Sequence, residues 1–203
     1  MARESSADNP EAQQCPAGTR AIAAAKLRLS SFCLAVTEVT VGAYHECVRG
    51  GRCVPPPKLP WGTYGRGDPR LPVSGVTWHA ASQYCEWTGG RLPSFIEWRW
   101  AYRGGSAGLS YPWGEDWDDS ASCLDGTLER PCVVGSTADI TADGVYDMHA
   151  NLSEWTSDID ADGEAYLVGQ SWRSDIRGMP ALYVSVPLET VAPTIGFRCA
   201  YNR

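Results

Sequence analysis

Residues 144–155, Gly-Val-Tyr-Asp-Met-His-Ala-Asn-Leu-Ser-Glu-Trp, form the stretch around which the rest of the chain is organised. Asp147, Asn151 and Glu154 lie there among apolar side chains that tend to bury them. A buried carboxylate needs a cation or several donors, and residues 131–172 contain no Lys or Arg for a local ion pair. Calcium takes carboxylate and carbonyl oxygens from one irregular loop. The stretch therefore indicates a metal-organised turn, with a turn held by backbone N–H bonds as the alternative.

The composition is that of an acidic, loop-rich protein. The 203 residues suffice for one domain with a full core. Nine Trp, 21 Gly and 14 Pro favour long loops over a helix bundle. A net charge of -7 argues against a nucleic-acid partner, because phosphate binding needs a basic surface. No run of eighteen apolar residues occurs, so the sequence predicts no membrane span.

The eight cysteines predict disulfides rather than zinc, because their number is even and no C-x-x-C pair occurs. The pairs Cys47–Cys53 and Cys123–Cys132 would each close a short loop. Disulfides indicate an oxidising compartment, so we expect an extracytoplasmic or secreted protein. The chain starts without an apolar export segment. Either such a segment has been removed or the cysteines are reduced, and the first explanation is favoured.

Capping residues and short apolar runs predict few regular elements. We expect a polar tail over residues 1–16, followed by one compact α+β domain over residues 17–203 with few helices, short antiparallel strands and long loops. The predicted elements are helices over Val41–Arg49 and Trp78–Trp87, a third helix from Ser94 that stops at Gly104, and strands within residues 21–36 and over 165–168, 183–186 and 195–200.

A series of short motifs follows one order between about residue 30 and residue 200. The motifs are Thr-Glu-Val-Thr at 37–40, Arg-Leu-Pro-Ser at 91–94, Tyr-Pro-Trp-Gly at 111–114, Tyr-Asp-Met at 146–148, Asn-Leu-Ser-Glu-Trp at 151–155 and Gly-Phe-Arg-Cys at 196–199. This order resembles that of the formylglycine-generating enzyme (sulfatase-modifying factor) family. The resemblance implies a C-type-lectin-like fold with little regular structure and with structural calcium.

One calcium site of that family falls on residues 144–155. The resemblance assigns calcium to the side chains of Asp147 and Glu154 and to the backbone carbonyls of Ala150 and Leu152. The family usually has glycine where this chain has Ala150. A carbonyl ligand survives that change where the backbone angles suit alanine.

The resemblance also implies a long-range disulfide. The family joins its second helix to its last strand, which corresponds here to Cys85 and Cys199. Closing so long a loop stabilises a fold by about 4–5 kcal/mol in the chain-entropy treatment.

An acidic turn follows the central stretch. Asp158, Asp160, Asp162 and Gly163 have the D-x-D-x-D-G spacing that places alternating oxygens around calcium. The twelfth position of an EF-hand loop would be Gly169, which has no carboxylate, so a complete EF-hand is excluded. A partial second calcium loop and a solvated acidic turn stay open, and the second is the commoner outcome.

The catalytic thiols of the family are missing. Its enzymes oxidise a substrate cysteine with two thiols that hold Cu(I), placed shortly after a Gly-x-Ser-aromatic motif, here residues 169–172. Ser174 and Met179 occupy those positions, and no cysteine lies between Cys132 and Cys199. Cu(I) prefers thiolates, so we expect no copper and no formylglycine-generating activity.

The same segment is rich in side chains used for recognition. Arg forks bind carboxylates and carbonyls, and Trp stacks on rings or cations. We therefore predict a non-catalytic, calcium-stabilised accessory domain that binds a peptide, a protein or a small molecule. In the alternative, Trp172 belongs to the core and the charges only solvate a loop. The candidate ligand-binding residues are Ser171, Trp172, Arg173, Ser174, Asp175 and Arg177.

Two other functions stay open. One is a cysteine-independent oxidase of a peptide or small metabolite in the same cleft. An iron site there would require His45, His79 and His149 to converge. The other is a lectin-fold variable protein of a diversity-generating retroelement, which would vary in this C-terminal segment.

Overall fold

The computed structural model describes residues 14–23, 30–65, 67–124, 128–180 and 183–203. Almost all of the predicted tail, residues 1–16, lies outside them. The described residues form three α-helices and two small sheets. The helices are α1 (Val41–Arg49), α2 (Trp78–Trp87) and α3 (Phe95–Tyr102), and the strands are β1 (Thr19–Ile22), β2 (Phe32–Ala35), β3 (Ser153–Ile159), β4 (Glu164–Val168), β5 (Tyr183–Pro187), β6 (Ile195–Gly196) and β7 (Ala200–Asn202).

Side-chain caps explain where the helices begin. The hydroxyls of Thr40 and Thr77 each accept a hydrogen bond from the backbone N–H three residues further on, and α1 and α2 have the predicted bounds. Ser94 and Glu97 form the predicted capping box at the start of α3. The longest of the described helices, α2, has ten residues, and none of them is long and apolar enough to cross a bilayer.

Each of the two sheets combines strands from distant parts of the chain. One has the antiparallel order β1-β2-β7, and the other has the order β5-β4-β3-β6, with β3 parallel to β6. The sequence did not predict β3, because it joins the end of the apolar stretch to the acidic turn and shows no clean alternation of burial. The strand expected over 195–200 is instead split into β6 and β7.

Indole rings fill much of the interior. Trp98 packs with the side chains of β1 and β2, and Trp155 packs with α1 and α2. The Trp155 indole N–H donates to the Val76 carbonyl at 3.0 Å, so this ring is satisfied as well as buried. These contacts bury the central stretch, residues 144–155, whose last three residues begin β3.

All eight cysteines are paired. The three predicted disulfides are confirmed, and the fourth ties the first described residues to β2. The bridges are Cys15–Cys33, Cys47–Cys53, Cys85–Cys199 and Cys123–Cys132.

Candidate functional site

A buried ion pair lies where the sequence predicted a metal-organised turn. Arg198 Nε is 2.8 Å from Glu154 Oε2, and Arg198 Nη2 is 2.7 Å from Glu154 Oε1. The same guanidinium donates to the carbonyls of Tyr146 and Asp147, and the Trp98 indole donates to Glu154 at 2.9 Å. Both charged side chains are fully buried. The cation of this turn is therefore Arg198, which lies 44 positions after Glu154 in the chain. The search for a nearby Lys or Arg could not find it.

Glu38 reaches the same centre from the segment before α1. Its carboxylate accepts hydrogen bonds from the Asn151 side-chain amide at 2.9 Å and from the Leu152 N–H at 3.0 Å. Burial raises the pKa of Glu38 well above its usual range, and the carboxylates of Asp147 and Glu154 add to this effect. Glu38 belongs to the Thr-Glu-Val-Thr motif at 37–40, and nothing in its local sequence predicts this role.

Asp139 and Asp147 add two more buried carboxylates to this centre. Asp147 accepts hydrogen bonds from the Gly135 N–H at 2.6 Å and the Thr137 hydroxyl at 3.3 Å. Asp139 accepts the His149 N–H at Oδ2, whereas its Oδ1 has no hydrogen-bond partner within the described ranges. Burial raises the pKa of Asp139 to about 7 and raises the pKa of Asp147 as well. With the two glutamates, four buried carboxylates face one buried guanidinium.

The donor set fits the predicted calcium site only in part. Each Glu154 oxygen already has two donors within hydrogen-bond distance, which leaves it no free lone pair for a metal. Asp147 and the carbonyls of Ala150 and Leu152 are the remaining ligands of the predicted set. Across the described ranges no three His, Cys, Asp or Glu side chains are grouped as metal ligands. Calcium at this turn therefore stays a prediction that depends on carbonyl oxygens.

The three aspartates of the acidic turn lie in the β3–β4 hairpin and have different surroundings. Asp158 accepts the Phe95 N–H at the start of α3, at 2.6 Å. Asp160 accepts the N–H groups of Asp162 and Glu164 at 2.9 and 3.0 Å and so closes the turn. Asp162 points into solvent. The carboxylates of this turn are not grouped as metal ligands among the described residues, and the partial calcium loop stays a prediction.

Two of the predicted ligand-binding residues lie inside the protein. Trp172 is fully buried and packs with Cys123 and Leu152. Ser171 is 6% exposed and its hydroxyl lies 3.3 Å from that of Ser174. The interpretation of Trp172 as a core residue is thus correct, because the apolar area of the indole is removed from water beneath the segment.

The rest of the segment is exposed and reaches a second loop. The Arg173 guanidinium lies 4.8 Å from the ring centroid of Trp61, and Arg177 forms an ion pair with Asp119 at 3.2 Å. Trp61 is 47% exposed. We call the exposed side chains of this region the segment surface, which consists of Trp61, Arg173, Asp175, Ile176, Arg177 and Met179.

Buried polar groups hold the segment surface from below. Gln170 donates to the Met179 carbonyl at 3.3 Å, and the Tyr111 hydroxyl donates to the Gly178 carbonyl at 2.8 Å. The buried His149 ring lies 3.4 Å from the Gln170 amide nitrogen. Burial lowers the pKa of His149 to about 4, so this ring is neutral at pH 7. The segment is therefore anchored at both ends.

The three histidines lie in different surroundings. His45 stacks near Tyr64, His79 faces Glu189 at 3.7 Å, and His149 is buried under the segment surface. Because the described part of the chain holds no grouping of metal-ligating side chains, this arrangement gives no support to a three-histidine iron site.

Residues 3–203 match the Sulfatase-modifying factor enzyme 1-like domain. The Inactive C-alpha-formylglycine-generating enzyme 2 of Mus musculus is 32% identical over 151 residues, which cover 64% of this chain and 49% of that protein. The Serine/threonine-protein kinase Pkn1 of Chlamydia trachomatis serovar L2 is 44% identical over 92 residues, or 45% of this chain and 14% of that protein. The chain thus spans half or less of the length of these relatives.

Among solved structures, Treponema denticola variable protein 1 superposes with a TM-score of 0.73. The alignment covers 91% of this chain and 95% of that one at 17% sequence identity, so the likeness concerns the fold alone. The fold is that of the C-type-lectin-like proteins, as the motif order implied. Since the family match extends over nearly the whole sequence, the chain belongs to the sulfatase-modifying factor family, to which the formylglycine-generating enzymes also belong.

Proposed function

We propose that this chain is a non-catalytic binding domain of its family. The observation that carries the proposal is that every cysteine is in a disulfide, so the protein offers no free thiol. Ser174 and Met179 stand where the catalytic thiols of the family are expected. A serine hydroxyl cannot form a disulfide with a substrate cysteine. The relative in Mus musculus whose name marks it as inactive supports the same view.

The segment surface supplies the contacts for a peptide or protein partner. Trp61, Ile176 and Met179 are 47%, 42% and 45% exposed, and they share the surface with two guanidinium groups. Aromatic, Met and Arg side chains are enriched where proteins bind one another. Trp61 also has a φ of 59°, a left-handed conformation that costs of order 1–2 kcal/mol for a bulky residue. The anchored backbone reduces the entropy lost on binding.

A displayed library of random twelve-residue peptides tests this proposal. We expect enrichment of peptides that bind the parent protein with micromolar affinity. Their affinity should fall at least about tenfold in the variant Ile176→Ser/Met179→Ser, since each apolar contact contributes about 1 kcal/mol or more. Val54→Ser is the matched control, because Val54 is 67% exposed and lines a different groove, beside α2. No enrichment, or equal binding to the double variant, would contradict the proposal.

Catalysis is tested separately with a peptide that carries a formylglycine consensus cysteine. We expect no loss of thiol and no aldehyde formation in air, with or without added Cu(I). Turnover of that peptide would show that this chain uses chemistry independent of its own thiols.

We further propose that calcium balances part of the buried negative charge. Four buried carboxylates surround Arg198, and Asp139 Oδ1 lacks a hydrogen-bond partner within the described ranges. Buried charges need a partner. Asp147 and the carbonyls of Ala150 and Leu152 are the ligands that remain available.

Thermal unfolding in calcium and in EDTA tests the calcium proposal. We expect a lower melting temperature in EDTA for the parent protein, and no difference between the two conditions for Asp147→Asn. Asp162→Asn is the control, because Asp162 is exposed. Equal melting of the parent in both conditions would show that protons, not calcium, balance the charge.

We also propose that the domain works outside the cytoplasm, because four disulfides persist in oxidising compartments. Thiol counting on protein recovered from its native source without reductant should find none. Eight titratable thiols would place the protein in a reducing compartment.

A further inference from the structure

A groove on the outer side of α3 is separate from the segment surface. Its lining combines one helix face with the turn that follows, and it encloses a cavity of about 490 Å³, a size that suits a small molecule. Phe95, Ile96 and Trp100 form its apolar wall, and Ile96 is 51% exposed.

Two guanidinium groups line this groove. Arg99 and Arg103 are four residues apart and therefore lie on the same side of the helix. Arg103 donates from Nε to the Leu109 carbonyl at 3.1 Å and from Nη2 to the Gly108 carbonyl, so its position is fixed by the turn. The Arg99 side chain is exposed and has no ion-pair or hydrogen-bond partner among the described residues.

The charge of this groove differs from that of the molecule as a whole. The protein has a net charge of -7, and within the described ranges five arginines are paired with carboxylates. Neither Arg99 nor Arg103 has a carboxylate partner within the described ranges. A guanidinium binds carboxylate and sulfonate oxygens through paired N–H donors.

We propose that this groove binds a small organic anion. Its carboxylate, sulfonate or sulfate group contacts Arg99 and Arg103, and its apolar body packs against Phe95, Ile96 and Trp100. The Trp100 indole N–H donates to the Ala23 carbonyl at 2.9 Å, which fixes the position of the ring in the groove wall. Binding here does not depend on the function proposed for the segment surface.

Titration of the ¹⁵N-labelled protein with naphthalene-1-sulfonate tests the inference, with 1-naphthalenemethanol as the neutral analogue. We expect saturable shifts of the Trp100 indole and of the Gly105 and Ser106 amides with a sub-millimolar to millimolar Kd. Arg99→Gln should weaken binding about tenfold, which is the contribution of one charge-assisted contact. Arg49→Gln is the matched control, because Arg49 is also an exposed helical arginine.

A second variant separates the apolar wall from the charge. Ile96→Ser should also weaken the sulfonate, and it remains informative if Arg99→Gln disturbs the helix. The inference is overturned by any of four results: no saturation up to about 10 mM, equal affinity for the neutral analogue, unchanged affinity in Arg99→Gln, or shifts confined to the segment surface.

Discussion

Glu154 and Arg198 depend on each other, because neither charge has access to water. Their two-point contact is supported by the Trp98 indole and by two backbone carbonyls. Pairs of this kind contribute little net free energy compared with an apolar replacement. Removing one partner is costly because the other charge is left buried and unpaired.

We expect Glu154→Gln to lower the free energy of unfolding by roughly 3–5 kcal/mol, since Arg198 would lose the charged group that accepts its paired hydrogen bonds. Urea denaturation with and without EDTA measures the change. Glu189→Gln is the control: its side chain is 77% exposed and its loss should cost less than about 0.5 kcal/mol. A loss below 1 kcal/mol in Glu154→Gln would show that the ion pair is not what stabilises the turn.

Local sequence reveals that Asp147 and Glu154 are buried, but not which side chain neutralises them. The apolar neighbours of Asp147 and Glu154 correctly predicted burial and the need for a partner. The partner itself, Arg198, could not be found, because its contact depends on how β6 pairs with β3 and β7 pairs with β2. Glu38 was hidden for the same reason, since it precedes α1 and meets the turn only in the folded protein.

In α3, the Glu97 side chain both caps the helix and forms an ion pair. Glu97 closes the capping box with Ser94 and also accepts two short hydrogen bonds from Arg91, at 2.6 and 2.7 Å. Burial alone would raise the pKa of Glu97, but the hydrogen bonds from Arg91 and Ser94 outweigh it and lower the pKa.

A lowered pKa makes the contribution of Glu97 sensitive to acid. The stabilisation is fully present above the ordinary value of 4.5 and is lost as the pH falls through the lower value of the folded state. We expect Arg91→Gln to be less stable than the parent at pH 7, with the difference shrinking below pH 4.5. Urea denaturation from pH 7 to 3 measures it. Arg49→Gln serves as control, and a constant difference at every pH would contradict the assignment.

The acidic turn gives a second prediction for α3. Because Asp158 accepts the first N–H of the helix, Asp158→Ala should lower stability by about 0.5–2 kcal/mol, as loss of a helix cap does. Asp162→Ala should change stability by less than about 0.5 kcal/mol because Asp162 is exposed. Thermal unfolding of both variants in calcium and EDTA makes the comparison. Equal, calcium-dependent losses in the two variants would support the partial calcium loop.

Elements with local signals were predictable and those without were not. α1 and α2 carry their own caps, so their bounds follow from nearby residues. β3 owes its conformation to β4 on one side and β6 on the other. Its sequence, Ser-Glu-Trp-Thr-Ser-Asp-Ile, mixes a buried carboxylate with exposed apolar Ile159, which conceals the two-residue period of a strand.

In the molecule as a whole, disulfides stabilise long loops that contain little regular secondary structure. Cys85–Cys199 closes a span of 114 positions, whereas Cys47–Cys53 closes a span of six. In the chain-entropy treatment the long loop is worth about 5 kcal/mol and the short one about 2 kcal/mol.

The double variants Cys85→Ala/Cys199→Ala and Cys47→Ala/Cys53→Ala test this difference. We expect the first to lose more unfolding free energy than the second by about 2–3 kcal/mol in guanidinium titration. Both pairs are buried, so the lost sulfur contacts are comparable. An equal loss would mean that packing, rather than loop entropy, determines what each bridge contributes.

The arrangement of the bridges also decides how the domain responds to tension between its ends. The shortest covalent path from Cys15 to Cys199 crosses to Cys33, follows the chain to Cys47, crosses to Cys53, follows the chain to Cys85 and crosses again. Everything between Cys85 and Cys199, including most of the segment surface, lies off that path. A pulling force applied at the two ends is therefore carried by the part of the chain before Cys85, which includes the loop of Trp61. The part of the segment surface over residues 173–179 would keep its shape under a load that stretches the rest.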